Sequence, residues 1–132
     1  MIFLIDLARN YEKLEVWNLS YQLVLKLYDA TEDFPEDEKG NIIQQIRRAA
    51  ISIPLNIAEG CSRYSRNAFL QFLSYAYGSI KELQVLLMLS KDLNYLDNSR
   101  YNDLINDAEI ISRKLFVFMD KVKKEKWFEW FK

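Results

Sequence analysis

Histidine is absent from the 132-residue chain, and cysteine occurs once, at Cys61. Without histidine the chain lacks the commonest general base, the commonest metal ligand and the one side chain that ordinarily titrates near neutrality. A single thiol excludes an internal disulfide and every multi-cysteine zinc pattern, and it fits a reducing compartment. Turn formers are scarce as well. Three glycines and two prolines fall far below the usual combined share of about 12%, which argues against sandwiches, barrels and propellers made of many tight turns. Eighteen Lys and Arg against nineteen Asp and Glu leave a formal charge of −1, so no global field draws the chain to nucleic acid or to an anionic membrane. No apolar run reaches the roughly 18 residues of a spanning helix. Met1-Ile2-Phe3-Leu4-Ile5 is cut off by Asp6 with no basic stretch before it, too short for a signal peptide. The expected location is the cytoplasm, with no membrane partner.

What the chain does have is helical periodicity. Its length fits a single domain spanning residues 1–132. Residues 1–10 form a leader ahead of the pattern. Val16, Leu19, Leu23, Leu27, Ala30 and Phe34 step by threes and fours and predict a helix over about 14–34. The acidic stretch Asp29 to Glu38, with Pro35 and the following Gly40, predicts a loop. Ile42, Ile46, Ala49, Ile53 and Ile57 predict a second helix over about 41–59, with Asn41 as its cap and Gly60 in the left-handed position beyond its end. Pro54 lies inside that helix, where its ring removes a backbone donor and clashes with the carbonyl of Ala50; a kink or a broken last turn is expected.

Ser62 or Ser65 caps a third helix over about 65–93, built on Phe69, Leu73, Ala76, Ile80, Leu83 and Leu87. A fourth, over about 99–126, carries Tyr101, Leu104, Ala108, Ile111, Leu115, Phe118 and Val122 in the same register. Short loops between neighbours make the expected fold all-α: an antiparallel up-down-up-down four-helix bundle.

The third helix has more apolar surface than one bundle should hide. Between Asn67 and Ser90 only Lys81 and Glu82 are charged, while Phe72, Tyr75, Tyr77, Leu86 and Leu89 lie off the main seam. The first helix echoes this with a second line of Trp17, Tyr21, Val24 and Tyr28. Such helices are buried on more than one side, so Trp17, Tyr21, Tyr28, Phe72, Tyr75, Tyr77 and Leu86 are the candidate contacts of a homo-oligomer. Gly78-Ser79 would permit close helix approach in the middle of that surface. Four large aromatics in the tail at 127–132, Trp127, Phe128, Trp130 and Phe131, are costly to leave in water and are expected to dock on this chain or a neighbour, or to capture a partner.

Gln45, Arg48, Ser52, Asn56 and Glu59 share one narrow sector of the second helix, a polar seam beside the apolar stripe. It lines a pore or contacts a ligand, or it is a hydrogen-bonded interface whose Arg48 and Glu59 find partners on other helices or subunits. Arg47, Arg48, Arg63 and Arg66 are expected to gather around the turn between the second and third helices, where guanidinium groups suit phosphate and Tyr64 offers a stacking surface. They are the candidate RNA or DNA contacts; a solvated loop with ordinary ion pairs is the plainer alternative. A second basic run, Lys121, Lys123, Lys124 and Lys126, also suits the carboxyl end of a helix. Asp103, Asp107 and Glu109 lack the histidines of a di-iron bundle, and Glu32, Asp33, Glu36, Asp37 and Glu38 lack the spacing of a calcium loop. No catalytic set, metal site, cofactor or small-molecule substrate is identified. Self-association is the first partner expected.

The segment Gln45-Ile46-Arg47-Arg48-Ala49-Ala50-Ile51-Ser52-Ile53-Pro54-Leu55-Asn56-Ile57-Ala58-Glu59-Gly60 resembles the hallmark of a bacterial family of four-helix bundle proteins encoded in intervening sequences of 23S rRNA genes. Leu14-Glu15-Val16-Trp17, Arg63, Phe69, Phe72-Leu73, Ala76, Gly78-Ser79 and Glu82 extend the likeness over roughly residues 11 to 122. The resemblance implies an antiparallel bundle that assembles into a ring, commonly a pentamer. It also implies kinship with the accessory protein of diversity-generating retroelements, which binds nucleic acid and a reverse transcriptase through a basic surface. The expected role is a non-enzymatic oligomeric scaffold or binding protein, a nucleic-acid or ribonucleoprotein accessory; the alternative is a protein-protein scaffold with no nucleic acid.

Overall fold

A computed structural model describes residues 10–125. Among them stand four α-helices: α1 Glu15–Thr31, α2 Ile42–Cys61, α3 Arg66–Asp92 and α4 Asn98–Lys124. Two 3-10 turns, Tyr11–Lys13 and Glu36–Glu38, precede α1 and α2, and the described residues contain no strand. Residues 1–9 of the leader, Lys126 and the aromatic tail lie outside the described residues.

Each helix packs on its neighbours in sequence, and α1 closes the square against α4. The pairs across each contact give the directions. Glu15 on α1 meets Lys114 on α4, Lys26 meets Asp107 and Asp103, and Asp29 and Asp33 meet Arg100, so numbers rise along one helix as they fall along the other. Ser52 meets Ser79 and Gly60 meets Phe69 across α2 and α3; Phe69 meets Phe118 and Lys91 meets Tyr101 across α3 and α4. The bundle is therefore antiparallel throughout, with α1 and α3 at opposite corners.

The periodic positions fill the core. Leu23 and Leu27, Ile46, Ile53 and Ile57, Phe69, Leu73, Ile80, Leu83 and Leu87, and Leu104 and Ile111 are almost fully buried. Each contributes about 1.5–3 kcal/mol by leaving water. Ser20, Thr31 and Ser90 are buried among them and return their hydroxyl protons to the carbonyls of Trp17, Leu27 and Leu86. No buried side-chain polar atom among the described residues is left without a partner.

Two helix starts are capped by side chains: Ser65 Oγ accepts from Ala68 N at 3.1 Å and Asp97 Oδ1 from Arg100 N at 2.7 Å. Asn41 stands at the start of α2 but does not cap it. Its amide donates to Glu38 Oε1 at 3.3 Å, and its Oδ1 accepts from Gln45 Nε2 at 3.1 Å. The broken turn expected after Pro54 is absent too. α2 continues to Cys61, because Ile57, Gly60 and Cys61 beyond the proline are buried and hold the last turns in place.

Gly60 also departs from expectation. It lies inside α2, and no described glycine has a positive φ. A Cβ on Gly60 would stand 3.0 Å from Phe69 Cδ1, 3.2 Å from Phe72 Cβ and 3.3 Å from the Phe69 carbonyl oxygen. The glycine is needed for close approach of α3, not for a turn. The left-handed position belongs instead to Asn94 (φ 65), which ends α3 as Tyr95 N reaches back to the Ser90 carbonyl at 2.8 Å.

Candidate functional site

The four arginines do not gather. Arg47 and Arg48 sit in the second turn of α2, while Arg63 and Arg66 flank the turn after it, about 22 Å further along the helix axis. Arg47 is committed to the end of α1: Nε donates to Thr31 Oγ1 at 3.0 Å, Nη2 to the Tyr28 carbonyl and Glu32 at 3.3 Å, and its guanidinium lies 4.3 Å above the Tyr28 ring. Arg63 pairs with Glu59 at 3.1 Å and covers the Phe72 ring at 4.6 Å. Arg66 donates to the carbonyls of Lys123 and Glu125 at 3.1 and 2.9 Å, satisfying the carboxyl end of α4. Arg48 alone remains well exposed, 3.9 Å from Glu82. Spacing near a turn had suggested one patch, but an unbroken helix separates its halves. Tyr64 lies exposed beside the turn.

The polar seam faces α3. Ser52 and Ser79 hydroxyls meet at 2.8 Å, and Asn56 Nδ2 donates to both the Ser52 carbonyl and its Oγ at 2.8 Å. Arg48 looks to Glu82 and Glu59 to Arg63 at its two ends, and Gln45 to Asn41. Every member thus has a partner within the chain, and the arrangement joins two helices. Leu55, Asn56, Ala58, Glu59 and Phe72 leave a shallow hollow beside it.

The aromatic candidates divide. Tyr21, Tyr28 and Tyr75 are exposed. Trp17, half-buried, stacks on Tyr21 with ring centroids 5.1 Å apart, Phe72 meets Tyr75 edge-on, and Tyr77 leans towards Phe116. Leu86 is a correction: it is buried in the chain's own core and offers no surface. Leu86 lies three residues from Leu83 and four from Ser90, both fully buried, so the buried face of α3 is wide enough to take it in. In its place the outer face of α3 shows Val85, Met88 and Leu89, of which only Leu89 stood out in the sequence.

A cationic groove escaped the sequence reading. Lys13, Arg113, Lys114 and Lys121 border a cleft of about 560 Å³ floored by Leu14, Val16, Val117 and Phe118. Glu15 is its one acid and pairs with Lys114; Lys13, Arg113 and Lys121 have no ion pair among the described residues. Its walls lie about a hundred residues apart in the chain. The spacing of Arg113, Val117 and Lys121 on one face of a helix was the available signal. Elsewhere, burial pushes the Cys61 thiol up to about 12, so it stays protonated and unreactive at neutral pH. Lys26 is raised despite the opposing effect of burial, because Asp103 and Asp107 hold its charged form. The described residues contain no group of three side chains fit to hold a metal ion, and none of their helices is long and apolar enough to cross a membrane.

The family model for the 23S rRNA-intervening sequence protein matches residues 12–117. This chain belongs to that family. The fold agrees: a crystal structure of a protein of unknown function from the S23 ribosomal protein family of Bacteroides thetaiotaomicron superposes with a TM-score of 0.74. The two share 24% identity over 80% of this chain and 95% of that one. No curated protein matches the sequence. In this member of the 23S rRNA-intervening sequence family, the segment from Gln45 to Gly60 becomes the middle and end of α2, and its Ser52, Asn56 and Gly60 are the residues that meet α3.

Proposed function

We propose that this chain is a non-enzymatic helical scaffold that assembles with copies of itself, as the pentameric ring that its resemblance implies, in the cytoplasm. The observation that carries this reading is the pair of exposed apolar stripes, one on α1 and one on α3, which a bundle of one chain leaves wet. A scaffold role accords with the absence of histidine and with a buried, protonated thiol. Light scattering at about 100 μM is expected to give a mass several times the 15.8 kDa of one chain, five times for a pentameric ring. The mass of a single chain at that concentration overturns the proposal.

A second reading is favoured by the cationic groove: RNA or DNA, and through it a reverse transcriptase as partner. Three cations without ion pairs beside the exposed Val117 suit a phosphate backbone with a base laid against that side chain. The Arg113→Glu, Lys121→Glu double variant is expected to abolish a gel shift that the wild type shows at low salt. Arg63→Glu, whose guanidinium is already engaged, should change it little. If the wild type shifts no nucleic acid at low salt, the scaffold acts on protein alone.

A further inference from the structure

Seven residues, Lys126 to Lys132, follow Glu125, and four of them are large aromatics. The structure fixes the point from which they leave. Glu125 ends α4 in an extended conformation (φ −66, ψ 144), so the helical path stops there. Arg66, in the first turn of α3, donates to the carbonyls of Lys123 and Glu125 and holds that exit on the α3 side of α4. The chain therefore departs beside the cleft between α3 and α4, across α4 from the cationic groove that it borders with the start of α1.

That cleft, of about 450 Å³, runs from Asn67 and Lys123 at the exit to Ser74 and Phe116 at its far end, with Leu70 and Met119 between them. Phe116 is 61% exposed, a phenyl ring left largely wet. Asn67 and Gln71 on one rim offer amide oxygens to an indole N–H. Lys123 on the other has no ion pair among the described residues, since Asp120 pairs with Lys124. From Lys123 to Phe116 the cleft is two turns of helix, about 10 Å long. The segment from Trp127 to Phe131, which spans up to about 16 Å when extended, is long enough to line it.

We propose that the segment Trp127–Phe131 turns back after Glu125 and seats its aromatic side chains in the α3–α4 cleft of its own chain, against Leu70, Phe116 and Met119. Chemistry supports the fit as well as reach. The rings of the segment and the floor of the cleft are both costly to leave in water, and joining them removes both costs at once. The thioether of Met119 is a favourable partner for an aromatic ring. Glu129, the one acid among residues 126–132, travels with the rings to the rim where Lys123 stands. The seat is made within one chain, so it stands whether or not copies associate, and it leaves the cationic groove on the other side of α4 open.

The test is tryptophan fluorescence of the full chain carrying Trp17→Phe, in which Trp127 and Trp130 are the remaining tryptophans. Their emission is expected to lie to the blue of free tryptophan in water and to resist quenching by acrylamide. Adding Phe116→Glu, at an exposed position, should move it to the red and open it to the quencher while circular dichroism stays helical. Met119→Glu is the second break in the cleft should Phe116→Glu lose helicity. Emission like that of free tryptophan before any change to the cleft overturns the proposal. Blue emission that neither cleft variant moves places the aromatics elsewhere and overturns it too. A mixture separates this chain's cleft from a neighbour's: the Phe116→Glu chain is unfolded in urea and refolded with a Trp17→Phe chain in which Trp127, Phe128, Trp130 and Phe131 are all serine. The emission should stay red, because the intact cleft and the intact aromatics are then on different chains. A return to the blue overturns the seat within one chain and assigns the cleft to the tail of a second copy.

Discussion

Phe69→Ala is expected to lower the unfolding free energy by about 3–5 kcal/mol, read as a fall in the urea midpoint with little change in slope. Phe69 is 1% exposed, the largest of the fully buried side chains. Its ring sits where three helices meet, edge-on to Phe118 of α4 at 5.9 Å and against Gly60 of α2. Removing it takes away apolar surface and leaves a hole walled by three helices that cannot all close on it. A domain of this size holds about 5–15 kcal/mol in total, so the single change removes about a fifth of it or more. Phe69→Leu keeps most of the volume and should cost far less. An unchanged midpoint for Phe69→Ala would mean that this end of the bundle is not packed as described.

Much of this core was legible from spacing alone. Residues such as Leu23, Ile46, Ile53, Leu73, Ile80, Leu104 and Ile111 lie on lines of threes and fours, and those lines are what the helices bury. Spacing along one helix says nothing about distance between helices, and the misreadings share that cause. Arg48 and Arg63 looked adjacent because both border the same segment, yet the helix continues through Pro54 and holds them apart. Leu86 looked surplus because it lies off the main seam, yet the buried face of α3, with Leu83 and Ser90 on either side of it, is wide enough to include it. The cationic groove draws Lys13 from one end of the chain and Arg113 and Lys121 from the other, so no window of sequence contains it. The left-handed residue after α3 is Asn94, where the pattern had drawn attention to Gly60.

Gly60 gives the sharpest consequence of that difference. Were it a glycine at a left-handed turn, any side chain would be strained by the backbone alone; as a helical residue it has an ordinary φ, and alanine would gain about 1 kcal/mol in helix propensity. The contacts oppose that gain, since two of the three atoms a Cβ would crowd, the Phe72 Cβ at 3.2 Å and the Phe69 carbonyl oxygen at 3.3 Å, cannot swing aside. Gly60→Val adds that Cβ and two methyl groups beyond it to the same crowded place and is expected to cost about 1–3 kcal/mol, again by urea midpoint. The ring of Phe69 is the nearest obstacle, at 3.0 Å, so the two sites should couple. In the Phe69→Ala background the cost of Gly60→Val should shrink by about 1 kcal/mol or more, a coupling of the size expected for residues in contact, because the valine methyl groups enter the space the ring has left. Equal costs in both backgrounds would place the obstruction in the backbone of α3 rather than in the ring, and would make Gly60 a spacer between helix axes instead of a socket for one side chain.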